Sequence, residues 1–109
     1  LDGPTYAEML KAGVEGVKDR GKAEVGDKTI LDSIVPAVEA FEASILAGNS
    51  LEDALERAAS AAEEGFEATE QMISKHGRGR YYGEKSKGHK DPGAAVGMLI
   101  FKAMREQQY

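Results

Sequence analysis

Apolar side chains in this chain recur three and four residues apart in stretch after stretch, and no long β-branched run alternates with a period of two. That spacing puts apolar residues on one face of a helix. The expected fold class is therefore all-α, with about four antiparallel helices.

The first helix is expected from about residue 5 to 20. Thr5 and Glu8 have the spacing of a capping box. Tyr6, Leu10, Val14 and Val17 form its stripe, and Gly21 stands where a C-terminal cap glycine belongs. The second is expected from about 29 to 47, with Leu31, Ile34, Val35, Val38, Phe41 and Ile45 inward. Pro36 interrupts it, and either kinks the helix or marks its first turns. Gly48-Asn49 ends it. Ser50 caps the third helix, with Asp53 three residues on. Leu55, Ala58, Ala62, Phe66 and Ile73 give that helix a narrow, alanine-rich face. Glu52, Glu56, Glu63, Glu64, Glu67 and Glu70 read as its solvated side. The fourth begins at Asp91-Pro92, a favoured cap followed by proline at the first helical position. Residues 94–101 are apolar nearly all round, so further protein is expected to cover this helix.

The chain has 109 residues, enough for one small domain. Its net charge of −5 argues against a dedicated nucleic-acid binder. The absence of cysteine excludes disulfides, thiolate metal sites and a cysteine nucleophile. No apolar run approaches the roughly 20 residues of a membrane span, and the start, Leu-Asp-Gly-Pro, does not resemble a signal peptide. A cytoplasmic location without membrane contact is expected.

Charge reverses in one place. Between Lys75 and Lys90 six basic residues face Glu84 alone, for a local net charge of +5, and five of the 13 glycines lie between Gly77 and Gly93. A loop of about 15 residues is uncommon in a small domain and is often functional. It leads into the fourth helix, whose small residues would leave first-turn N–H groups open to an anion. Arg78 and Arg80 would add bidentate phosphate contacts. A phosphate or nucleotide site is one reading; a solvated basic loop is the other. A second glycine-containing break, residues 20–29, opens onto the second helix, with Asp27 or Thr29 as its cap. His76 and His89 without cysteine do not make a convincing metal site; His89 reads as a loop-folding hydrogen-bond donor, with a general base or orienting donor as the other reading. Tyr81-Tyr82 would either stack on a base or anchor the loop.

Three features together carry a resemblance. They are the run Arg20-Gly-Lys-Ala-Glu-Val-Gly-Asp-Lys-Thr-Ile-Leu-Asp32, then Pro36, then Gly77-Arg-Gly-Arg-Tyr-Tyr-Gly-Glu-Lys-Ser-Lys-Gly-His-Lys-Asp-Pro-Gly-Ala94. In this order they resemble the nucleotide-binding domain of dihydroxyacetone kinases, and most closely the ADP-binding L subunit of the phosphotransferase-system-dependent type. The resemblance implies a barrel of eight antiparallel helices with ADP or ATP held at one end. The nucleotide-binding residues it suggests are Gly21, Thr29, Ile30, Arg78, Asp91, Pro92 and Gly93. Ile30 departs from the methionine common in the family, and Arg80 and Tyr82 from its small and aliphatic residues. The family's Mg²⁺-binding aspartates and the Gly/Ser-rich phosphate loop after them have no counterpart here. Residues 1–109 therefore resemble the C-terminal half of the domain, with the Mg²⁺ ligands expected in an N-terminal segment and no metal ligand or assigned catalytic residue in this chain. The implied activity is phosphoryl transfer to dihydroxyacetone held on a partner subunit or domain. A phosphotransfer protein of the phosphotransferase system is a second implied partner. The alternative is a non-catalytic helical interaction or regulatory module that kept the fold without the metal motif. A fatty-acid kinase type domain is disfavoured by the run from Gly83 to Gly93.

Overall fold

A computed structural model of the chain describes residues 2–21, 25–72 and 88–106. Four helices account for most of them: α1 (Gly3–Gly21), α2 (Leu31–Leu46), α3 (Leu51–Ala68) and α4 (Pro92–Glu106), with a 3₁₀ turn (Thr69–Gln71) extending α3. No strand occurs among the described residues, and the expected all-helical class holds. No described helix is long and apolar enough to cross a membrane.

α1 starts earlier than the Thr5 capping box implied. Asp2 is its cap: Asp2 Oδ1 accepts the Thr5 N–H at 2.8 Å, and the Asp2 carbonyl accepts from Tyr6 at 3.0 Å. Asp is at least as good a cap as Thr, and Pro4 falls in the first turn, where a missing N–H is harmless. The inward stripe is as expected, with Val14 buried and Tyr6, Leu10 and Val17 packed against the core. Tyr6 meets Phe41 of α2 with ring centroids 5.3 Å apart.

α2 carries Pro36 inside it and closes at Gly48, whose φ of 87° suits glycine. Gly48 N–H donates to the Ile45 carbonyl and Asn49 N–H to the Ser44 carbonyl, the paired bonds of a Schellman end. Ser50 then caps α3 through the Asp53 N–H at 3.1 Å, as its sequence position implied.

The core lies mainly between α2 and α3. Leu31, Phe41 and Leu55 are buried, against a face of Ala54, Ala58, Ala59 and Ala62 with no exposure at all. Each fully buried Leu or Phe contributes about 1.5–3 kcal/mol, and the alanines let the two helices approach closely. α3 ends at Ala68, and Ile73, expected on its inward face, lies outside the described residues. Thr69 Oγ1 donates back to the Phe66 carbonyl at 2.6 Å, the chain tightens into the 3₁₀ turn, and Met72 is extended.

α4 joins α3 along a seam of ion pairs: Lys90–Glu67 at 2.7 Å, Lys102–Glu63 at 3.0 Å and Arg105–Glu56 at 3.8 Å. The acidic side of α3 is solvated as expected, and half of its six acids also have a basic partner. α4 buries Ala94, Gly97 and Phe101 but exposes Val96 (51%), Leu99 (58%) and Ile100 (48%). Within this chain, then, one face of α4 is covered rather than several.

Candidate functional site

The turn before α2 is built around one carboxylate. Asp32, 2% exposed, accepts the Gly26 N–H at 2.6 Å and the Thr29 N–H at 2.8 Å. Thr29 Oγ1 in turn accepts the Leu31 N–H at 3.2 Å. The N-cap residue of α2 is Ile30, without a side-chain cap of its own, and Thr29 and Asp32 on either side of it take up the Leu31, Gly26 and Thr29 N–H groups. Gly26 (φ 101°) and Lys28 (φ 63°) both take left-handed backbone, which for lysine is unusual.

The second turn is built around Asp91. Its N–H donates to Thr69 Oγ1 at 2.8 Å, fastening the start of α4 to the end of α3. Its Oδ2 accepts the Ala94 N–H at 2.8 Å, the Gly93 N–H also donates to this carboxylate, and the Ala95 N–H donates to the Asp91 carbonyl. Pro92 has no N–H. The first-turn donors expected to stand open to an anion are therefore taken up by the helix's own cap. A carboxylate there places an acceptor, not a donor, at the surface.

The two turns meet. A Cβ on Gly93 would lie 2.9 Å from Asp91 Oδ2 and 3.3 Å from the Ile30 nitrogen. A Cβ on Gly97, one turn further, would collide with Ser33 Oγ and stand 2.7 Å from Ile34 Cγ2. Both glycines are needed for α4 to cross the N-terminus of α2, and at Gly93 this is a packing role where backbone approach to a ligand is the expectation from sequence. Thr29, Ile30, Asp91, Pro92 and Gly93 consequently share one end of the helical assembly. Gly21 is the last residue of α1, at the head of the connection leading to that end. Arg78 lies outside the described residues, as do His76, Arg80, Tyr81 and Tyr82. His89 is exposed on the approach to α4.

Lys28 binds this end together. It is 4% exposed, and its Nζ donates to the Met72 carbonyl at 3.2 Å. Burial pushes the Asp91 carboxyl above its usual range; the Gly93 and Ala94 N–H groups and the Lys28 charge oppose that shift, while the Asp32 charge adds to it. Lys28, Asp32 and Thr69 were not among the residues singled out from the sequence. Asp32 had a readable signal, its three-residue spacing from Thr29. Lys28 and Thr69 had none, because their partners lie 44 and 22 residues away.

These carboxylates do not suit a magnesium ion. Asp32 uses both oxygens on backbone N–H groups and Asp91 uses one. Among the described residues no three acidic or histidine side chains converge as metal ligands. An open groove of about 410 Å³ beside Ser60, Glu63, Glu64 and Glu67 has an acidic wall that disfavours phosphate.

Fold and site together define a small all-helical domain whose distinguishing end joins a Gly-Asp-Lys-Thr turn to an Asp-Pro-Gly turn. The chain matches the DAK2 domain over residues 1–106 and belongs to that family. It is 43% identical over 97 residues to the ADP-binding subunit DhaL of the PEP-dependent dihydroxyacetone kinase of Escherichia coli, covering 89% of this chain and 46% of that protein. It is 33% identical over 108 residues to the corresponding subunit of PEP-dependent dihydroxyacetone kinase 1 of Listeria innocua, covering 99% and 49%. A third relative is the mouse triokinase/FMN cyclase, 38% identical over 105 residues, covering 96% of this chain and 18% of the relative. The chain thus spans about half the length of the two bacterial subunits.

Proposed function

We propose that this chain is the C-terminal half of an L-type nucleotide-binding domain and holds ADP or ATP for phosphoryl transfer to dihydroxyacetone on a partner subunit or domain. One observation carries the reading: Ile30 and Asp91–Gly93, which belong to the two sequence runs that resemble dihydroxyacetone kinases and are 61 positions apart at Ile30 and Asp91, lie at the same end of the structure with Gly93 against Ile30. The names of the bacterial relatives, ADP-binding subunits, support the choice of ligand.

Phosphoryl transfer is catalysed mostly by positioning and charge neutralisation. In this reading Ile30 offers an apolar surface to the base. Asp91 accepts a hydrogen bond from a hydroxyl or amino group of the nucleoside, which fits a carboxylate better than a phosphate does. Arg78 offsets phosphate charge. Magnesium ligands come from a segment outside this chain, and a phosphotransfer protein is a further partner. The exposed Val96, Leu99 and Ile100 face of α4 supports the half-domain assignment, since the rest of the domain would cover it. A cytoplasmic location accords with this reading.

Calorimetric titration of ADP into the full-length protein tests it. Arg78→Ala should weaken binding by about 1.5–3 kcal/mol, the size of a lost hydrogen bond to a charged partner, with little change in melting temperature. Wild-type affinity in that variant would remove Arg78 from the site. Absence of ADP binding by the wild-type protein would overturn the nucleotide reading and favour the interaction module.

A further inference from the structure

We propose that Lys28 is a positioning residue for the nucleotide site, its buried ammonium joining the turn before α2 to the end of α3 so that the Asp91 cap of α4 is held in one place. The inference rests on the nucleotide reading above and assigns that site a residue outside the expected set.

Three observations support it. First, Lys28 has a left-handed backbone (φ 63°) that is strained for a residue with a side chain. Gly26, two residues earlier, takes such a conformation freely, so a glycine at 28 would relieve the strain. Second, that backbone goes with a side chain that is 4% exposed, although lysine is seldom buried without partners. Third, its Nζ reaches the Met72 carbonyl at 3.2 Å, where the chain leaves the 3₁₀ turn that also presents Thr69 Oγ1 to the Asp91 N–H. One ammonium thereby links the α2 turn to the same short segment that fastens α4.

Its charge acts on the same target. From the α2 turn, Lys28 favours the ionised Asp91 carboxylate and Asp32 opposes it. From α3 and its 3₁₀ turn, Glu67 and Glu70 act on Lys90, which Glu67 pairs at 2.7 Å. His89 and Lys90 precede Asp91 and are exposed. Lys28 is thus the buried cation of this end among the described residues, and its removal leaves only the Ala94 and Gly93 N–H groups to offset burial and the Asp32 charge at Asp91.

The experiment uses the full-length protein, with ADP as the probe. Lys28→Met keeps most of the side-chain volume and removes the charge. Lys28→Gly removes the amine while relaxing the backbone, and keeps the test decisive if Lys28→Met does not fold. Lys28→Arg retains a cation and donors. ADP affinity, measured well below the melting temperature of each variant, should fall about tenfold or more in Lys28→Met and Lys28→Gly, and stay within about threefold of wild type in Lys28→Arg. In Lys28→Met the affinity should also begin to fall at a higher pH than in wild type as pH is lowered from about 7 to 5, because Asp91 then takes up its proton earlier. Wild-type affinity and pH profile in Lys28→Met and Lys28→Gly, with only the melting temperature lowered, would overturn the positioning role and leave the nucleotide reading intact. Absence of ADP binding in the wild-type protein would overturn both.

Discussion

Gly65 of α3 lies against the main-chain carbonyl of Asp32 in α2, so closely that a Cβ on Gly65 would collide with the carbonyl oxygen and stand 3.2 Å from the Ser33 Cα. Pro36 contributes to this contact. Four residues beyond Asp32, it has no N–H to offer that carbonyl. A proline within α2 and a glycine within α3 are both unfavourable for an isolated helix, yet here they permit a backbone-to-backbone approach. Since the Asp32 side chain holds the Gly26–Thr29 turn, the fit of α3 and the shape of the site are set at one residue.

Gly65→Ala should therefore destabilise the protein by about 1–3 kcal/mol, because a main-chain carbonyl cannot swing aside as a side chain can. Gly16 of α1 provides the contrast, since a Cβ there meets nothing within 4 Å. Gly16→Ala should stabilise by about 0.5–1 kcal/mol through helix propensity alone. Urea unfolding of both variants checks the pair, and a stabilised Gly65→Ala would contradict the close approach.

Asp32→Asn tests the turn itself. The carboxylate accepts two N–H groups, from Gly26 and Thr29, and an amide keeps only one acceptor oxygen while turning its NH₂ toward the other donor. The expected loss is about 1.5–3 kcal/mol, in keeping with a buried, charge-assisted bond left unmade. Amide exchange at Gly26 and Thr29 should accelerate beyond the global change. Unaltered protection at both amides would show that another group orders the turn.

These residues also show how far the sequence could be read. Helix count, the alanine face of α3, the Ser50 cap and the Gly48 stop were legible because each depends on neighbours within about one helical turn. The convergence of Ile30 with Gly93 was implied only by resemblance, since no local pattern joins positions so far apart. Two expectations failed for the same reason. Small residues predict an open first turn for α4, yet Asp91 folds back onto its N–H groups. Gly93 reads as room for a ligand, yet Asp91 and Ile30 stand beside it, as Ser33 and Ile34 stand beside Gly97 one turn on. Small residues announce a close approach without saying what approaches.

Asp91 makes stability depend on pH. Burial raises its folded-state carboxyl above the usual carboxylate range. A raised pKa means the folded state binds the proton more tightly than the unfolded chain, so this group's contribution is fully present below the unfolded pKa and is lost as pH rises through the folded value. Asp91→Asn, which keeps an oxygen to cap α4, should remove that loss. The melting temperature of Asp91→Asn relative to wild type should rise between about pH 4 and 7. A difference that stays flat across that interval would show that the Ala94 and Gly93 hydrogen bonds and the Lys28 charge fully offset the burial.

The outer face of α4 tests whether this chain is half of a domain. Val96, Leu99 and Ile100 are spaced three and four apart on one side of the helix, and each is about half exposed or more within these 109 residues. If that face is solvated in the full-length protein, Leu99→Gln is a surface change and should alter stability by no more than about 0.5 kcal/mol. If the remaining half of the domain packs there, the same change removes a buried leucine and should cost about 1.5–3 kcal/mol. The half-domain assignment requires the larger value, and requires it again for Ile100→Gln. Lys102 provides the control on the neighbouring face: its ion pair with Glu63 is partly exposed, so Lys102→Gln should cost about 1 kcal/mol or less. Urea unfolding of the full-length variants gives all three numbers. Values near 0.5 kcal/mol or below at both Leu99 and Ile100 would mean that α4 keeps an apolar face in water, and that this chain does not pack as half of a larger helical barrel.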